Sequence, residues 1–336
     1  MKGKPSMNIE FYEEILSQFR GKKILAIGDV YLDEYMLGEV IGISEEAPVP
    51  VLAYGESIFT PGAMANVANN VNALGADVML VGVIGSDEGA RKLAEELKSR
   101  NISTDGLFED PERPTTHKIK VMAGSSQRAY QHVYRIDKES RQDINRELEK
   151  RIMAFLDEAI PESDAVIISD YRNGVITPEL LPYAIKMGKK HGKIVTADSR
   201  GNLLDYRNVT IITPNVAEVE DTLDAAIETD DAIIVAGKAL MERLQSDAVL
   251  VTCGKDGMWL FENDIPPVHM PAITREEVAD VTGAGDTVLA TLTVALTCGA
   301  TMREAATLSN YAAGICVKKL GAATVSPEEI SSAIRS

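Results

Sequence analysis

Short runs rich in Ile and Val alternate along most of the chain with segments whose apolar residues recur at helical spacing. Residues 23–28 (KILAIG) are predicted as the first strand, and residues 63–74 as a helix that ends at Gly75. The same pattern predicts strands at 78–84, 165–169, 194–197 and 209–212, and helices at 88–100, from about Pro178, at 284–298 and at 303–319. This alternation is typical of βαβ units, so we expect a mostly parallel sheet with helices on both faces.

Three stretches depart from the alternation. Residues 249–253 and 258–261 flank a Gly-Lys-Asp-Gly turn and are predicted to form a hairpin. Residues 37–58 and 115–137 alternate with a period of two, which predicts a small separate β-layer built from two insertions, and 124–130 resembles a further insertion. We find no internal repeat or long linker, so residues 1–336 are interpreted as one domain, with a loose tail before Met7.

Composition narrows the class of protein. Of the 336 residues, 45% are hydrophobic and 25% are charged, which is ordinary for a globular protein. The formal net charge of −17 argues against nucleic acid and anionic membranes as partners. The start of the chain has no leader-like apolar run, no stretch is long enough for a membrane span, and the three cysteines lack metal-ligand spacing. We therefore expect a cytoplasmic protein that acts on a small molecule.

The segment Asp280-Val-Thr-Gly-Ala-Gly-Asp286 carries the strongest chemical signal, because it directly precedes an apolar helix. Small residues leave the backbone N–H groups of a helix N-terminus uncovered, and these groups favour an anion such as a phosphoryl group. A carboxylate in the first turn could accept the proton of an attacking hydroxyl. A helix start with a capping aspartate and glycines for close packing remains the alternative. The chain lacks the P-loop, protein-kinase and Rossmann signatures.

Together with further motifs, this segment resembles the ribokinase/PfkB family of sugar kinases. The matching motifs are GDVYLD at 28–33, PGAMANVA at 61–68, PNVAE at 214–218 and VTCG at 251–254, in an order and spacing that fit from about residue 22 to 328. The resemblance implies a ribokinase-like three-layer α/β/α fold with a β-sheet lid formed by about 36–60 and 112–137. It also implies a phosphotransferase that uses ATP and Mg²⁺.

The resemblance assigns roles by position. Asp286 would be the catalytic base, and Gly283, Ala284 and Gly285 the anion hole for the transferred phosphoryl group. Substrate binding would involve Asp29, Asp33, Gly62, Asn66, Asp170, Arg172 and Arg200; nucleotide binding would involve Asn215, Thr252, Gly254, Gly257 and Asn310; and Glu218 would organise Mg²⁺ through water. Asp280 and Thr282 mark a site that could also bind K⁺ through nearby backbone carbonyls.

Several of these residues would equally suit a purely structural role. Asn215 and Glu218 have the spacing of a capping box, and Asp29 and Asp33 could serve turn chemistry after a strand. The nucleotide-side residues would equally suit an ordinary strand, turn and core helix.

Within the family, the greatest similarity is to the D-glycero-β-D-manno-heptose-7-phosphate kinases. It rests on ISEEAPVP at 43–50, SDY at 169–171, Asp198 with Arg200-Gly201, and TVSP at 324–327. Gly42 and Asn173 stand where those enzymes usually carry Arg and Lys, and Ala63 replaces the second glycine of a usual pair. Arg172, Arg200 and Lys120 are the candidate cations for a substrate phosphate.

The expected reaction is therefore phosphorylation of the 1-hydroxyl of heptose 7-phosphate. The alternatives are a kinase of an unphosphorylated sugar, such as ribose or a ketohexose, or of a nucleoside, and a non-catalytic sugar or nucleotide sensor. We also expect a homodimer, because a lid sheet of this kind leaves a face that needs covering.

Overall fold

The computed structural model describes residues 9–125, 128–274 and 278–336. The predicted loose tail before Met7 lies outside the described residues, as do residues 126–127 of the predicted insertion at 124–130.

The described elements alternate between strands and helices, as the hydrophobic pattern predicts. The strands are β1 (Lys23–Gly28), β2 (Val30–Ile43), β3 (Pro50–Ala63), β4 (Asp77–Ile84), β5 (Leu107–Glu109), β6 (Thr116–Ser125), β7 (Arg128–Lys138), β8 (Ala165–Asp170), β9 (Ile194–Ser199), β10 (Ile211–Ile212), β11 (Ala248–Thr252), β12 (Met258–Glu262) and β13 (Ile265–Met270). The helices are α1 (Ile9–Ser17), α2 (Met64–Ala73), α3 (Glu88–Ser99), α4 (Arg146–Glu162), α5 (Leu180–Lys190), α6 (Val216–Leu223), α7 (Asp230–Leu244), α8 (Ala284–Thr297), α9 (Met302–Cys316) and α10 (Pro327–Arg335).

The main sheet has the order β13-β12-β11-β10-β9-β8-β1-β4-β5. Every pair from β11 to β5 is parallel, whereas β11, β12 and β13 pair antiparallel and include the predicted hairpin. The alternating residues of β1 show why helices cover both faces. Ile24 and Ala26 pack with the core that contains residues of α2 and α8, whereas Leu25 and Ile27 pack with residues of α4 and α5. The expected three-layer arrangement is confirmed.

A smaller sheet has the order β3-β2-β6-β7. Two antiparallel pairs, β2 with β3 and β6 with β7, are joined by a parallel pair between β2 and β6. These strands occupy the two stretches that break the alternation, but they extend beyond 36–60 and 112–137, from Val30 and as far as Lys138. Only Asp29 separates β1 from β2, so the small sheet begins at the carboxyl edge of the main sheet.

Some predicted boundaries were wrong by two or three residues. The strand predicted at 209–212 is limited to β10, and the helix predicted to reach residue 319 ends at Cys316. The helix expected from about Pro178 begins at Leu180, because the Thr177 hydroxyl accepts a hydrogen bond from the Leu180 N–H at 3.0 Å and caps the turn that contains Pro178.

Candidate active site

A cleft of about 1430 Å³ lies where the carboxyl ends of the parallel strands meet the small sheet. Ligands of open α/β sheets bind at this edge, where residues that follow different strands converge. The cleft is lined by these predicted residues: Asp33, Gly62, Asn66, Asp170, Arg172, Arg200, Asn215, Glu218, Thr252, Gly254, Gly257, Thr282, Gly283, Ala284, Gly285, Asp286 and Asn310. Asp29 and Asp280 are not among the lining residues.

Asp286 lies in the first turn of α8 and is only 6% exposed. Asn66 donates from Nδ2 to its Oδ2 at 2.7 Å, and the hydroxyl of Tyr171 donates to its Oδ1 at 2.9 Å. Burial raises the pKa of Asp286 to about 6, while these two bonds and the charge of Arg200 oppose the rise. The carboxyl group is therefore mostly ionised at neutral pH, as a general base must be.

Gly283 and Gly285 flank Ala284 at the start of α8, but their surroundings differ. Gly283 is the N-cap residue with φ of 78°, and a Cβ there would lie 2.7 Å from Nδ2 of Asn66. A Cβ at Gly285 would meet no heavy atom within 4 Å. Gly283 is thus required by the backbone and by Asn66, whereas the space at Gly285 is open to the cleft. A helix N-terminus next to open space can receive an anion.

A buried polar network supports Asn66 from behind. Asn70 donates from Nδ2 to the carbonyl oxygen of Asn66 at 2.9 Å, and the Thr287 hydroxyl lies 3.0 Å from Oδ1 of Asn70. Asn66, Asn70 and Thr287 are each at most 1% exposed. Because buried side chains with satisfied polar groups have little freedom, this network fixes the amide that contacts Asp286.

Asp29 supports a loop, and its carboxylate does not face the cleft. Its Oδ2 accepts from the backbone N–H groups of Tyr171 and Asn173 at 2.8 and 3.0 Å, and its Oδ1 accepts from Val175 at 3.3 Å. The residue is 1% exposed, and burial raises its pKa to about 6 although the backbone bonds act in the opposite direction. The carboxylate therefore braces residues 171–175, which are distant in sequence, and these bonds are not the local turn chemistry after β1 that was the alternative. The substrate contact of Asp29 stays a prediction.

Asp33 faces the cleft together with a buried lysine. Lys120 Nζ lies 3.3 Å from Oδ2 of Asp33 and 3.0 Å from the Tyr35 hydroxyl. Burial lowers the Lys120 pKa, but Asp33 and Tyr35 outweigh that effect, so the pKa is raised and the ammonium group stays charged. A charged pair that is nearly excluded from solvent offers both a donor and an acceptor to a polyhydroxylated ligand.

The cations of the cleft wall differ in whether an acid already neutralises them. Lys118 lies 3.2 Å from Glu139 and 3.4 Å from Asp137, and Arg135 and Arg141 pair with the same two carboxylates. Arg172 and Arg200 have no carboxylate partner within the described residues. Arg172 is exposed and has φ of 64°, and the guanidinium of Arg200 lies 4.5 Å from the ring centroid of Tyr171.

Asn173, which replaces a lysine of the similar heptose kinases, is fully occupied by the protein. Its Oδ1 accepts from the Tyr31 hydroxyl, and its Nδ2 donates to the carbonyl oxygen of Ser140 at 3.1 Å. Gly42, which stands where those enzymes usually carry an arginine, lies on an exposed part of β2, and a Cβ there would meet nothing within 4 Å.

Asp198 and Glu218 bring two further carboxylates to the cleft. Burial and the negative charges of Glu218 and Asp286 raise the pKa of Asp198 to about 8, and burial raises the pKa of Glu218. Glu218 also forms a capping box, since its Oε2 accepts from the Asn215 N–H at 2.8 Å and Asn215 Oδ1 accepts from its N–H at 3.0 Å. The raised pKa values mean that both carboxyl groups take up protons more readily than usual, and a cation bound beside them would favour their ionised forms instead.

The described side chains do not by themselves form a metal site. Within 9–125, 128–274 and 278–336, no group of three or more His, Cys, Asp or Glu side chains is arranged to hold a metal ion. Mg²⁺ usually keeps several waters and binds one or two carboxylates together with substrate phosphates, so one carboxylate near a triphosphate would fit it.

Asp280 braces the loop that precedes α8. Its carboxylate accepts from the N–H groups of Thr282 at 2.9 Å and Gly321 at 3.0 Å, and these bonds outweigh burial and lower its pKa. The side chain is thus engaged with the backbone, and Thr282 lines the cleft.

The predicted nucleotide-side residues line the cleft, and two of them are tied to neighbouring elements. The N–H of Thr252 donates to the carbonyl oxygen of Pro214 at 2.8 Å, which joins β11 to the turn before α6. Asn310 donates from Nδ2 to the carbonyl oxygen of Pro271 at 2.8 Å, so its amide ties α9 to the end of β13.

Two members of the site were absent from the predicted set, although both belong to motifs that carry the resemblance. Tyr171 reaches Asp286 across 115 positions of sequence, and Asp198 faces Glu218 only after β9 and β10 pair in parallel. The acidic and aromatic residues at the carboxyl ends of β8 and β9 were the available signal.

The comparisons with known proteins agree with the geometry. The pfkB family carbohydrate kinases match residues 25–329, and the chain belongs to that family. The members of this family are carbohydrate kinases, which are phosphotransferases with a hydroxyl group as acceptor.

Among the most similar curated proteins are two named bifunctional protein HldE. The one from Geotalea uraniireducens is 41% identical over 319 residues, which are 95% of this chain and 64% of the relative's length. The one from Gluconobacter oxydans is 39% identical over 319 residues, 94% of this chain and 65% of the relative. The chain thus spans about two thirds of the length of these proteins.

Solved structures support the fold. Arabidopsis thaliana ribokinase, solved with ribose and ATP, has a TM-score of 0.73 at 20% identity and covers 94% of this chain and 99% of its own. Escherichia coli phosphofructokinase-2, solved with potassium, has a TM-score of 0.76 at 16% identity and covers 94% and 98%. The predicted ribokinase-like fold is confirmed. Within the described residues, no helix is long and apolar enough to cross a membrane.

Proposed function

We propose that this protein transfers the γ-phosphoryl group of ATP to the 1-hydroxyl of D-glycero-D-manno-heptose 7-phosphate. The observation that supports a transferase over a sensor is the buried, mostly ionised Asp286 beside the open N-terminus of α8. A binding module has no need of a base at the point where an anion and a hydroxyl would meet. Residues 1–336 are proposed to work as one kinase unit, with the small sheet as its lid.

Asp286 is the proposed base of an in-line transfer. It accepts the proton of the acceptor hydroxyl while that oxygen forms a bond to the γ-phosphorus and the bond from phosphorus to the β,γ-bridging oxygen breaks, which releases ADP. The N–H groups around Gly283, Ala284 and Gly285 are proposed to face the charge on the transferred group, and that of Ala284, which donates to the carbonyl oxygen of Val281 at 3.3 Å, would have to share its hydrogen bond. Phosphoryl transfer relies mainly on such positioning and neutralisation of charge, so no covalent enzyme intermediate is required.

The proposed acceptor follows from similarity and from charge. The HldE proteins are about 40% identical to this chain over nearly its whole length, and the chain shares motifs with heptose-7-phosphate kinases. A phosphate on the acceptor needs a cation to bind it. A cation that is already in an ion pair would have to break that pair to bind the phosphate. Arg172, Arg200 and Lys255 are the cleft cations for which the described part of the chain shows no ion pair. Lys255 lies in the turn between Gly254 and Gly257, which are assigned to ATP, so we assign the 7-phosphate to Arg172 and Arg200.

The acceptor hydroxyls are assigned to Asp33, Gly62, Asn66 and Asp170, and ATP to the opposite end with Asn215, Thr252, Gly254, Gly257 and Asn310. Mg²⁺ would be held through water by Glu218 and would neutralise charge on the triphosphate when bound. K⁺ is proposed to bind backbone carbonyls near Asp280 and Thr282, and turnover that is equal in K⁺ and in choline salts would reject it.

A homodimer through the lid is proposed because the outer part of the small sheet exposes large apolar side chains. Ile41, Ile43, Tyr54 and Tyr134 are each more than 60% exposed. Exposed apolar sheet surface of this kind favours a partner, here a second copy of the chain. Sedimentation velocity should give a dimer that Ile43→Glu dissociates.

The small-molecule substrates and the net negative charge support a cytoplasmic location without nucleic-acid or membrane partners.

An acceptor panel tests the function. ADP release with Mg²⁺ATP is measured with heptose 7-phosphate, fructose 6-phosphate, ribose, fructose and a nucleoside. We expect the highest kcat/KM with heptose 7-phosphate, and Arg172→Gln should raise its KM about tenfold or more while the KM of ATP stays unchanged. Activity restricted to uncharged acceptors would reject the heptose proposal but keep the kinase, and ligand binding without turnover on any acceptor would favour a sensor.

A further inference from the structure

We propose that Tyr171 is a positioning residue for the base, whose phenol hydroxyl holds Oδ1 of Asp286 and keeps the carboxyl group oriented and ionised for the acceptor. The inference rests on the proposed function, because it takes Asp286 as the base. It does not depend on which sugar is the acceptor.

The geometry holds Asp286 from two sides. Asn66 donates to Oδ2 at 2.7 Å and Tyr171 donates to Oδ1 at 2.9 Å, so the two donors fix the plane of the carboxylate. Each carboxylate oxygen has a second lone pair, which leaves room for an acceptor hydroxyl beside the two donors. Loss of either donor frees the carboxylate to rotate about its terminal torsion, which is otherwise soft.

Tyr171 is itself held in place before any ligand binds. Its backbone N–H donates to Asp29 at 2.8 Å, and its ring meets the ring of Tyr31 edge-on at a centroid distance of 5.3 Å. The guanidinium of Arg200 covers the ring at 4.5 Å. Contacts from the junction of β1 and β2 and from the segment after β9 therefore fix one side chain, so the hydrogen bond to Asp286 requires little further ordering when substrates bind.

The direction of the hydrogen bond is fixed by protonation. Burial and the charge of Asp286 raise the pKa of Tyr171 well above its ordinary value, so the phenol keeps its proton and donates. Tyr171 is therefore excluded as a base at neutral pH. Arg200, which lies over the ring, favours charge withdrawal from the phenol and strengthens it as a donor.

A donor to the ionised form of Asp286 favours that form. The bonds from Asn66 and Tyr171 and the charge of Arg200 all act against the effect of burial on the Asp286 pKa. Several charged or titratable groups of the described chain interact electrostatically with Asp286. They are Asp33, Tyr171, Asp198, Arg200 and Cys316. Among these, Tyr171 alone donates a hydrogen bond to the carboxylate, so its removal should move the titration of Asp286 upward.

Tyr171→Phe removes the hydroxyl and keeps the ring between Tyr31 and Arg200. A hydrogen bond to a charged group corresponds to about one pKa unit or more, so the acid limb of kcat/KM should move up by about one pH unit. A shift from about 6 to about 7 gives a loss of about fivefold at pH 6 that fades by pH 8, on top of a loss of positioning that is independent of pH. Wild type and variant are compared on the same acceptor, so the ionisation of the acceptor is common to both.

Tyr183→Phe is the matched control. Tyr183 donates to a carboxylate oxygen of Asp157 at 2.5 Å in an exposed pair between α5 and α4. The control removes the same chemical group and the same kind of bond away from the cleft, so its pH profile should superimpose on that of the wild type. An equal shift in both variants would reject a specific role for Tyr171.

A second measurement needs no turnover. Protein labelled with ¹³C at the aspartate carboxyl carbon is titrated by NMR, and the Asp286 signal is assigned by its loss in Asp286→Asn. We expect the Asp286 midpoint to rise by about one unit in Tyr171→Phe. An unchanged midpoint together with an unchanged pH profile overturns the inference. If no acceptor is phosphorylated by the wild type, the proposed function fails by itself, and the titration still decides whether Tyr171 acts on Asp286.

Discussion

Alanine at Gly283 and alanine at Gly285 should have opposite effects on stability, although the two glycines lie in one motif. At Gly283, φ of 78° is costly for alanine, and the new Cβ would lie 2.7 Å from Nδ2 of Asn66. The strain and the displaced amide should together lower the free energy of unfolding by about 2 kcal/mol. Gly285→Ala meets no heavy atom within 4 Å and replaces glycine by a better helix former, which should raise stability by about 0.5 kcal/mol.

Activity should separate the two variants from an ordinary stability effect. The methyl group at Gly285 would enter the space proposed for the γ-phosphoryl group, so kcat/KM for ATP should fall about a hundredfold in a protein that is at least as stable as the wild type. Urea unfolding gives the stability, and ADP release at varied ATP gives the activity. Full activity of Gly285→Ala would refute the anion hole at this position, and an unfolding free energy of Gly283→Ala equal to that of the wild type would refute the argument from Asn66.

Three further outcomes follow from the same contacts. Asp29→Ala leaves three buried N–H groups of the loop after β8 without their acceptor, so urea unfolding should show a loss of about 3 kcal/mol, and a loss below about 1 kcal/mol would contradict the bracing role. Lys120→Met leaves Asp33 buried without its cation, and the KM of the acceptor should rise about tenfold with the KM of ATP unchanged; equal changes in both constants would contradict the contact. Because Asp286 must be ionised to accept a proton and its pKa is about 6, kcat/KM for the acceptor should fall about tenfold from pH 7 to pH 5, and a kcat/KM that is flat to pH 5 would exclude it as the base.

Elements with a strong local pattern could be predicted from the sequence. The apolar run of β1, the Gly-rich turn between β11 and β12, and the small-residue helix α8 each carry their own signal within a few residues. The amphipathic helices α4 and α7 carried a comparable signal, with Asn145 and Thr229 as N-caps, but were not assigned. Helix ends were less certain, because Thr177 caps a turn that Pro178 alone does not reveal.

The roles of side chains were harder to predict, because they depend on contacts between distant residues. The spacing of Asp29 and Asp33 after a strand does not show that Asp29 binds backbone N–H groups of residues 171–175 while Asp33 pairs with Lys120. Ala63 illustrates a different limit. It adopts φ of 51° and ψ of −129°, a backbone conformation that glycine prefers. The sequence alone suggested that an alanine would resist a positive φ, and did not show that this alanine adopts one.

Catalysis by Asp286→Asn tests the central claim most directly. The variant keeps the shape of the side chain and removes the base, and its ADP release with the best acceptor is measured beside ATP binding by calorimetry. We expect kcat to fall by about a thousandfold or more, while the Kd of ATP changes by less than about threefold. Turnover within about tenfold of the wild type, with ATP binding intact, would contradict the proposed mechanism.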